Sequence, residues 1–419
     1  MADKKRIYLC LAHMSEAGLE QKYIKEAFDT NWVVPLGPNV NGFEKDLEDF
    51  VGEGKRVVAL SSGTAAVHLG LIAAGVKAGD EVLVQSFTFC ASTHPITYLG
   101  ATPILIDSEP DTWNIDPDLL EAAIKDRIAK TGRKPKAIIP VALYGMPYKA
   151  DHIMEIANRY EIPVIEDAAE GFGSRYKGQV LGTFGKSGVL SFNGNKMITT
   201  SGGGALVTAN EEEWREIMMY ATQYRESYPY YHHEKIGYNY RMSNICAGIG
   251  RGQMTIVNDH LAHHKHVQKM YEELFADVPG IHVHSQPATG EYDSNYWLCT
   301  ITIDENVKVK GQENAYKTIV TGAVGGAAGV IHAASSAVTD CQPNDNVEAL
   351  RVFLDQKGIE ARPLWKPMHK QPVYKDAPAY VNGVSEALFK VGMCLPSGPY
   401  VSDEDVRYIV DCIKESIEL

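Results

Sequence analysis

The chain has 419 residues, with 40 Lys and Arg against 53 Asp and Glu, which gives a formal net charge of −13. Hydrophobic residues make up 45% of the chain, which is enough for a large core. At about 100–200 residues per domain, the length predicts two or three domains. The acidic balance argues against general binding to nucleic acid or to an anionic membrane surface, because both need a basic face. The seven cysteines form no CxxC pair, and a single CxxH (Cys10 and His13) is too few ligands for a metal site, so neither a disulfide framework nor a metal site is indicated. The N-terminus lacks a signal-peptide pattern, so we expect a cytoplasmic protein.

Residues 57–208 alternate between short apolar runs and helical patterns, as in a parallel sheet covered by helices. The apolar runs lack polar alternation, which is typical of strands buried on both faces. The predicted strands are 57–60, 81–85, 102–106, 136–141, 162–165, 187–192 and 204–208. The predicted helices between them are 65–74, 92–99, 117–129 and 149–160.

The pattern changes toward the C-terminus. One helical pattern runs from 244 to 276, and after Pro279 the sequence predicts strands and helices of a smaller α+β domain. The predicted strands there are 281–284 and 296–303, and the predicted helices are 346–357 and 403–417. We therefore predict a large domain over residues 1–260 and a small domain over 261–419, with an uncharged insertion near 310–343.

The centre of this insertion, residues 318–339, contains no Asp, Glu, Lys or Arg in 22 residues. That length would span a bilayer, but only six of these residues are strongly apolar and most others are Gly, Ala, Ser or Thr. No Gly-Lys-Ser/Thr follows, so the segment is not a P-loop. We interpret it as a surface insertion in a globular domain.

Three polar segments follow predicted strands, at the edge where open α/β sheets bind ligands. Ser61–Thr64 opens a helix and offers free N–H groups to a phosphate, although it could serve only as a helix cap. Asp167 ends a strand and could hold a cation or a protonated ring nitrogen, or could cap the next turn. Lys196 precedes a Gly-rich segment; most lysines are surface charges, but an amine in a dry site can attack a carbonyl.

The phosphate-binding turn comes first, then Asp167, and then Lys196, which follows Asp167 by 29 residues. This order is the layout of a pyridoxal phosphate site. The segments that carry it resemble the DegT/DnrJ/EryC1/StrS family of sugar aminotransferases: LSSGTAAVHLGL, QSFTFCAST, VIEDAAEGFGSRYKG and LSFNGNKMITTSGGG. The resemblance extends through PLGPNVNGFEKDLEDFVG, IGYNYRMSNICAGIGRGQM, IEARPLWKPMHKQPVY and CLPSG, and covers nearly the whole chain outside the insertion. It implies the α/β aspartate-aminotransferase fold (fold type I), with a mixed, mostly parallel sheet in the large domain and a smaller α+β C-terminal domain.

The resemblance also implies pyridoxal 5'-phosphate as cofactor and assigns residues to it. Lys196 stands at the family's cofactor-binding lysine, which then acts as general acid and base, and Asp167 stands where the family pairs the pyridine nitrogen. Further positions match the family's cofactor contacts: Ser62, Gly63, Thr64 and Ser191 for the phosphate, Phe89 for stacking on the ring (or a plain core Phe), Glu170 beside the hydroxyl, and Asn239 from the neighbouring subunit. This last position implies a homodimer with shared active sites.

The expected substrate-binding residues are Arg241, Arg362, Trp365 and His369. Residues 362–369 resemble the version found in enzymes that aminate UDP-linked 4-keto-6-deoxy-N-acetylhexosamines, for surface-glycan biosynthesis, with L-glutamate as amino donor. Cationic and aromatic side chains suit the pyrophosphate and rings of a nucleotide sugar. The structural alternatives are a salt bridge for Arg241 and a Pro-rich turn for 362–369.

Two other functions stay open at this point. One keeps the cofactor and changes the reaction, to a 3-aminotransferase acting on a dTDP-keto sugar or to an amino-acid lyase. The other is a non-catalytic regulatory member of the fold. Position 196 holds lysine where the family's dehydratases hold histidine, which favours transamination, and Lys196 together with Asp167 argues against the regulatory alternative.

Overall fold

The computed structural model describes residues 6–316 and 339–418, together with the backbone of 322–323 and 331–332. The α-helices in these residues are α1 (Leu19–Asp29), α2 (Pro38–Val51), α3 (Gly63–Ala73), α4 (His94–Tyr98), α5 (Pro117–Thr131), α6 (Ala150–Tyr160), α7 (Glu211–Ala221), α8 (Asn244–Met254), α9 (Val257–Phe275), α10 (Asp345–Gln356), α11 (Val384–Val391) and α12 (Asp403–Ser416). The strands are β1 (Arg56–Leu60), β2 (Glu81–Gln85), β3 (Thr102–Ile106), β4 (Ala137–Ile139), β5 (Ile165–Asp167), β6 (Arg175–Tyr176), β7 (Gln179–Val180), β8 (Ser187–Ser191), β9 (Gly204–Thr208), β10 (Ile281–Val283), β11 (Tyr292–Asp293), β12 (Cys299–Ile303), β13 (Lys308–Val309), β14 (Gly322–Ala323), β15 (Ile331–His332), β16 (Arg362–Pro363), β17 (Ala379–Tyr380), β18 (Gly392–Leu395) and β19 (Ile417–Glu418).

The central sheet consists of two four-stranded parts, ordered β1-β9-β8-β5 and β17-β3-β2-β4. Parallel bridges from Ile138 to Val164 and from Val141 to Asp167 join β4 to β5, so the order is continuous across eight strands. Only β9 runs against its neighbours β1 and β8, and the other pairs are parallel. This mixed, mostly parallel sheet confirms the predicted α/β fold.

Both faces of the sheet are buried, as the non-alternating apolar runs predict. In β2, Leu83 packs into one core cluster while Val82 and Val84 pack into another on the opposite face. A third cluster combines Ile7 with residues between Val267 and Ile417 and lies around the sheet β10-β12-β18-β16. The segment containing β17 returns from this C-terminal part to pair with β3, so residues late in the chain complete the large sheet. The boundary at residue 260 stays a prediction.

The helix predicted over 244–276 is wrong as a single helix. The structure has two helices, α8 and α9, because Ile256 has φ −119° and ψ 7°, outside the helical region. The Thr255 hydroxyl bonds the Gly252 carbonyl at 2.6 Å and so satisfies an acceptor at the end of α8.

The predicted strand at 162–165 lies at Ile165–Asp167 in the structure, three residues later. Pro163 has no N–H to donate to a neighbouring strand, and regular pairing with β8 begins only at Ile165. Most of the predicted insertion at 318–339 lies outside the described residues. In its described backbone, β14 pairs antiparallel with β15. Among the described residues, no helix is long and apolar enough to cross a membrane.

Candidate active site

A cavity of about 430 Å³ lies at the carboxyl edge of the central sheet. Strands β1, β5 and β8 run in one direction, so the residues that end or follow them meet at this edge. Nine predicted site residues line the cavity: Ser62, Gly63, Thr64, Phe89, Asp167, Glu170, Ser191, Lys196 and Trp365.

The turn at the start of α3 presents free backbone donors to the cavity. The Ser62 hydroxyl accepts the N–H of Ala65 at 3.0 Å, and among the described residues the N–H groups of Gly63 and Thr64 have no hydrogen-bond partner. Such donors at a helix N-terminus favour an anion. A Cβ at Gly63 would lie 3.1 Å from the Ser191 Cβ, so glycine permits the close approach of the turn to β8.

Asp167 lies at the floor of the cavity and is only 4% exposed. One carboxylate oxygen accepts the Ser92 hydroxyl at 2.6 Å, and the other accepts the N–H of Ala169 at 3.1 Å. Burial raises the pKa of Asp167, and the Ser92 hydrogen bond opposes that rise. A positively charged group in the cavity would therefore stabilise the charged carboxylate.

Lys196 projects between a carboxylate and an indole ring. Its Nζ lies 3.6 Å from Glu170 Oε1 and 3.8 Å from the centre of the Trp297 ring. The other Glu170 oxygen accepts the N–H of Tyr144 at 2.7 Å. Burial raises the pKa of Glu170, and the Lys196 charge opposes that rise. An amine, a proton acceptor and a cation-binding ring face are thus in contact.

Two aromatic side chains form the outer wall of the cavity. Phe89 is 51% exposed, which excludes a plain core role, and its ring centre lies 5.5 Å from that of Trp365. The backbone N–H of Trp365 donates to the Tyr144 hydroxyl at 2.8 Å. The indole Nε1 of Trp365 is buried and has no hydrogen-bond partner among the described residues.

The structure does not bring Arg241 and Arg362 to the cavity lining. Arg241 forms a largely buried ion pair with Glu44 and also donates to the Ala59 carbonyl at 3.1 Å. This geometry matches the structural alternative stated for Arg241. The guanidinium of Arg362 lies 2.7 Å from a carboxylate oxygen of Glu360.

His369 and Asn239 also lie outside the lining. The His369 Nδ1 is 2.7 Å from the Ser86 hydroxyl, a bond that ties residues 368–370 to the end of β2. Asn239 is exposed on a single chain and pairs through its backbone with Thr222. The roles predicted for all four residues stay predictions.

Sequence reasoning missed three residues that contact the central groups: Ser92, Tyr144 and Trp297. Ser92 lies inside the QSFTFCAST segment, only three residues after Phe89, but nothing local indicates its bond to Asp167. Tyr144 has φ 54°, a left-handed conformation that aims its N–H at Glu170. Trp297 reaches Lys196 from 101 residues away, and this approach depends wholly on the tertiary fold.

These groups fit pyridoxal phosphate. The turn at Gly63 and Thr64 offers anion donors, the buried Asp167 carboxylate suits a protonated ring nitrogen, and the Lys196 amine suits an aldehyde. The outer wall formed by Phe89 and Trp365 suits an aromatic ring.

The chain matches the DegT/DnrJ/EryC1/StrS aminotransferase family over residues 15–323 and 312–414. It is 41% identical over 413 residues to EpsN of Bacillus subtilis, provisionally named as a pyridoxal phosphate-dependent aminotransferase, covering 98% of this chain and 95% of EpsN. It is 32% identical to GDP-perosamine synthase of Escherichia coli O157:H7, covering 97% of this chain and 98% of that enzyme. The crystal structure of a DegT DnrJ EryC1 StrS aminotransferase from Brucella abortus superposes with a TM-score of 0.80 at 27% identity, covering 95% of each chain. The chain therefore belongs to the DegT/DnrJ/EryC1/StrS aminotransferase family and is a pyridoxal phosphate-dependent sugar aminotransferase.

Proposed function

We propose that the protein transfers an amino group from L-glutamate to C4 of a UDP-linked 4-keto-6-deoxy-N-acetylhexosamine. One observation carries the proposal: a single cavity combines the Lys196 amine, the Asp167 carboxylate and the anion-binding turn at Gly63 and Thr64. The choice of sugar is supported by residues 362–369, whose Trp365 forms part of the cavity wall.

Bound pyridoxal phosphate supplies an electron sink for negative charge at the carbon next to the transferred nitrogen. Asp167 keeps a proton on the ring nitrogen by offering a buried negative charge beside it. The turn at Gly63 and Thr64, together with Ser191, anchors the phosphate. Lys196 removes a proton from one carbon and delivers it to another, and the Glu170 carboxylate, 3.6 Å away, stabilises the positive charge of the protonated amine.

The reaction has two halves. L-Glutamate gives up its amino group and leaves as 2-oxoglutarate, and the amino group then replaces the ketone oxygen of the sugar. Lys196 serves both halves, because proton addition in one is the reverse of proton removal in the other.

We further propose that two copies of the chain share their active sites. Asn239 is exposed on the single chain, as expected if it reaches the neighbour's cofactor phosphate. Large apolar side chains are exposed in two segments: Trp32, Val33, Val34 and Leu36 in one, and Tyr228, Tyr230, Tyr231 and Ile236 in the other. Groups of exposed large apolar side chains such as these support an interface with another copy of the chain. The cytoplasmic location predicted from the sequence stays a prediction.

A GDP-linked 4-keto sugar is the second candidate substrate. It is favoured by the 32% identity to GDP-perosamine synthase over nearly the full length of both chains. The two candidates share the transferred group and differ in the nucleotide and in the N-acetyl substituent of the sugar.

The test separates amino donor from acceptor. The holoprotein is first converted to its amino form with L-glutamate, excess glutamate is removed, and UDP-4-keto, GDP-4-keto and dTDP-3-keto sugars are offered separately. We expect the UDP-4-keto-N-acetyl sugar to be aminated at least tenfold faster than the other two. Faster amination of the GDP sugar would replace the substrate assignment, and consumption of none of the three would contradict the proposed function.

A further inference from the structure

The backbone on both sides of Lys196 is bound by two buried ring N–H groups. The Trp297 Nε1 donates to the carbonyl of Asn195 at 2.7 Å, and the His260 Nδ1 lies 3.0 Å from the carbonyl of Met197. The two carbonyls belong to the residues that directly precede and follow the lysine. Both donors are almost fully buried, with Trp297 2% and His260 4% exposed.

The protonation state of His260 follows from its surroundings. A carbonyl oxygen can only accept a hydrogen bond, so Nδ1 must carry the proton. Burial lowers the pKa of His260, which keeps the ring neutral and leaves Nε2 without a proton. Among the described residues Nε2 has no hydrogen-bond partner, so the bond to Met197 is the polar contact that orients this ring.

The segment that carries Lys196 has little regular structure of its own. Residues 192–203 form turns between β8 and β9 and include Gly194, Gly202 and Gly203, which add backbone freedom. A lysine side chain has four rotatable bonds, so the position of its amine is fixed only if both the backbone and the amine itself are bound by neighbouring groups. Trp297 does both, since its N–H binds Asn195 while its ring face lies 3.8 Å from the Lys196 Nζ.

We propose that Trp297 and His260 are positioning residues for Lys196, which fix the two flanking carbonyls and thereby aim its amine into the cavity. The inference rests on the proposed role of Lys196 as the cofactor-binding lysine. His260 does not line this cavity, so its effect on the reaction passes through Met197 and Lys196.

The test compares two ligands that differ in their need for Lys196. Pyridoxal phosphate has an aldehyde: the Lys196 amine condenses with it, a carbon–nitrogen double bond forms, and one water leaves. Pyridoxamine phosphate has an amine in that place and binds to the apoprotein without any bond to lysine. We call the reaction of Lys196 with the aldehyde covalent capture. Its rate is measured from the rise of visible absorbance after mixing, and the affinity for pyridoxamine phosphate is measured by calorimetry.

His260→Phe keeps a buried ring and removes the donor. We expect covalent capture to slow about 3- to 10-fold, as the loss of one buried hydrogen bond implies, while the affinity for pyridoxamine phosphate changes less than about twofold. His260→Asn places an amide N–H near the former Nδ1 and should restore most of the rate. Trp297→Phe keeps the ring face and loses the bond to Asn195, so capture should again slow more than pyridoxamine phosphate binding weakens.

His263→Phe is the matched control. His263 lies on the same helix, and its Nε2 is 3.1 Å from the carbonyl of Gly398, remote in sequence from Lys196. Its replacement should leave capture unchanged. Equal losses of capture rate and of pyridoxamine phosphate affinity in the His260 and Trp297 variants, or no change in either, would overturn the inference. Lys196→Ala separates this from failure of the proposed function, because capture that persists in Lys196→Ala would contradict the role of Lys196 itself.

Discussion

Replacing Asp167 by Asn isolates the effect of one buried charge in the cavity. The side chain can keep its hydrogen bonds: Oδ1 still accepts the Ala169 N–H, and the new amide donates to the Ser92 hydroxyl. That hydroxyl can turn to donate to Thr88 Oγ1, which lies 2.8 Å away. Only the negative charge is then lost.

The charge of Asp167 affects two quantities: the affinity for pyridoxamine phosphate and the free energy of unfolding of the apoprotein. A hydrogen bond to a charged group contributes about 1.5–3 kcal/mol, so pyridoxamine phosphate should bind about 10- to 100-fold more weakly to the Asp167→Asn apoprotein. In the apoprotein, where no ligand balances the charge, the substitution should not reduce stability. Because burial raises the pKa of Asp167, the charged form destabilises the folded apoprotein at neutral pH, and the variant should be at least as stable as the parent. This gain should disappear below about pH 3.9, where the carboxyl is protonated in the unfolded chain as well.

Ligand affinity is measured by calorimetry, and the free energy of unfolding by urea titration at pH 7 and at low pH. Glu166→Gln is the matched control, since Glu166 is a neighbouring buried carboxylate on β5 that accepts N–H groups from Gly182 and Gly185 at 2.9 and 2.7 Å instead. The Glu166→Gln variant should keep its affinity for pyridoxamine phosphate. An Asp167→Asn variant with unchanged affinity would refute the assignment of its charge to the cofactor ring.

Three further outcomes follow from the structure. In Gly204→Ala, the added Cβ would lie well inside van der Waals distance of the Gly63 nitrogen, so we expect a loss of about 1–3 kcal/mol in unfolding free energy and weaker binding of inorganic phosphate and of cofactor. Arg241→Met leaves Glu44 buried without its partner and should cost about 3–5 kcal/mol in urea unfolding, and the added change Glu44→Gln should recover part of that loss. Hydrogen bonds from two lysines lower the pKa of Glu386 to about 2, so Glu386→Gln should reduce stability at pH 7, and the difference should vanish as the pH falls from about 4.3 through 2.

Local sequence patterns were sufficient for the parts of the site that follow strand ends. Leu60, Asp167 and Ser191 end strands of one direction, so the sheet itself brings the anion-binding turn, the carboxylate and the start of the lysine segment together. The continuously apolar runs of β2 and β3 indicated burial on both faces, and the structure has that burial.

Contacts made by distant residues could not be predicted in this way. Trp297, just before β12, and His260, in α9, bind the backbone on either side of Lys196 from the C-terminal half of the chain, and no local pattern gives their direction. The same limit applies to Arg241, which lies in a recognisable segment but turns toward Glu44. A motif places a residue near a site, while the packing around it decides which way its side chain points.

The role of Lys196 is tested most directly by identifying the residue that binds the cofactor. The holoprotein is reduced with borohydride, which makes the link between lysine and pyridoxal phosphate permanent, and the digested peptides are examined by mass spectrometry. We expect one modified peptide, with the added mass on Lys196, and no modification in Lys196→Ala. The added mass on a different lysine, or on none, would contradict it.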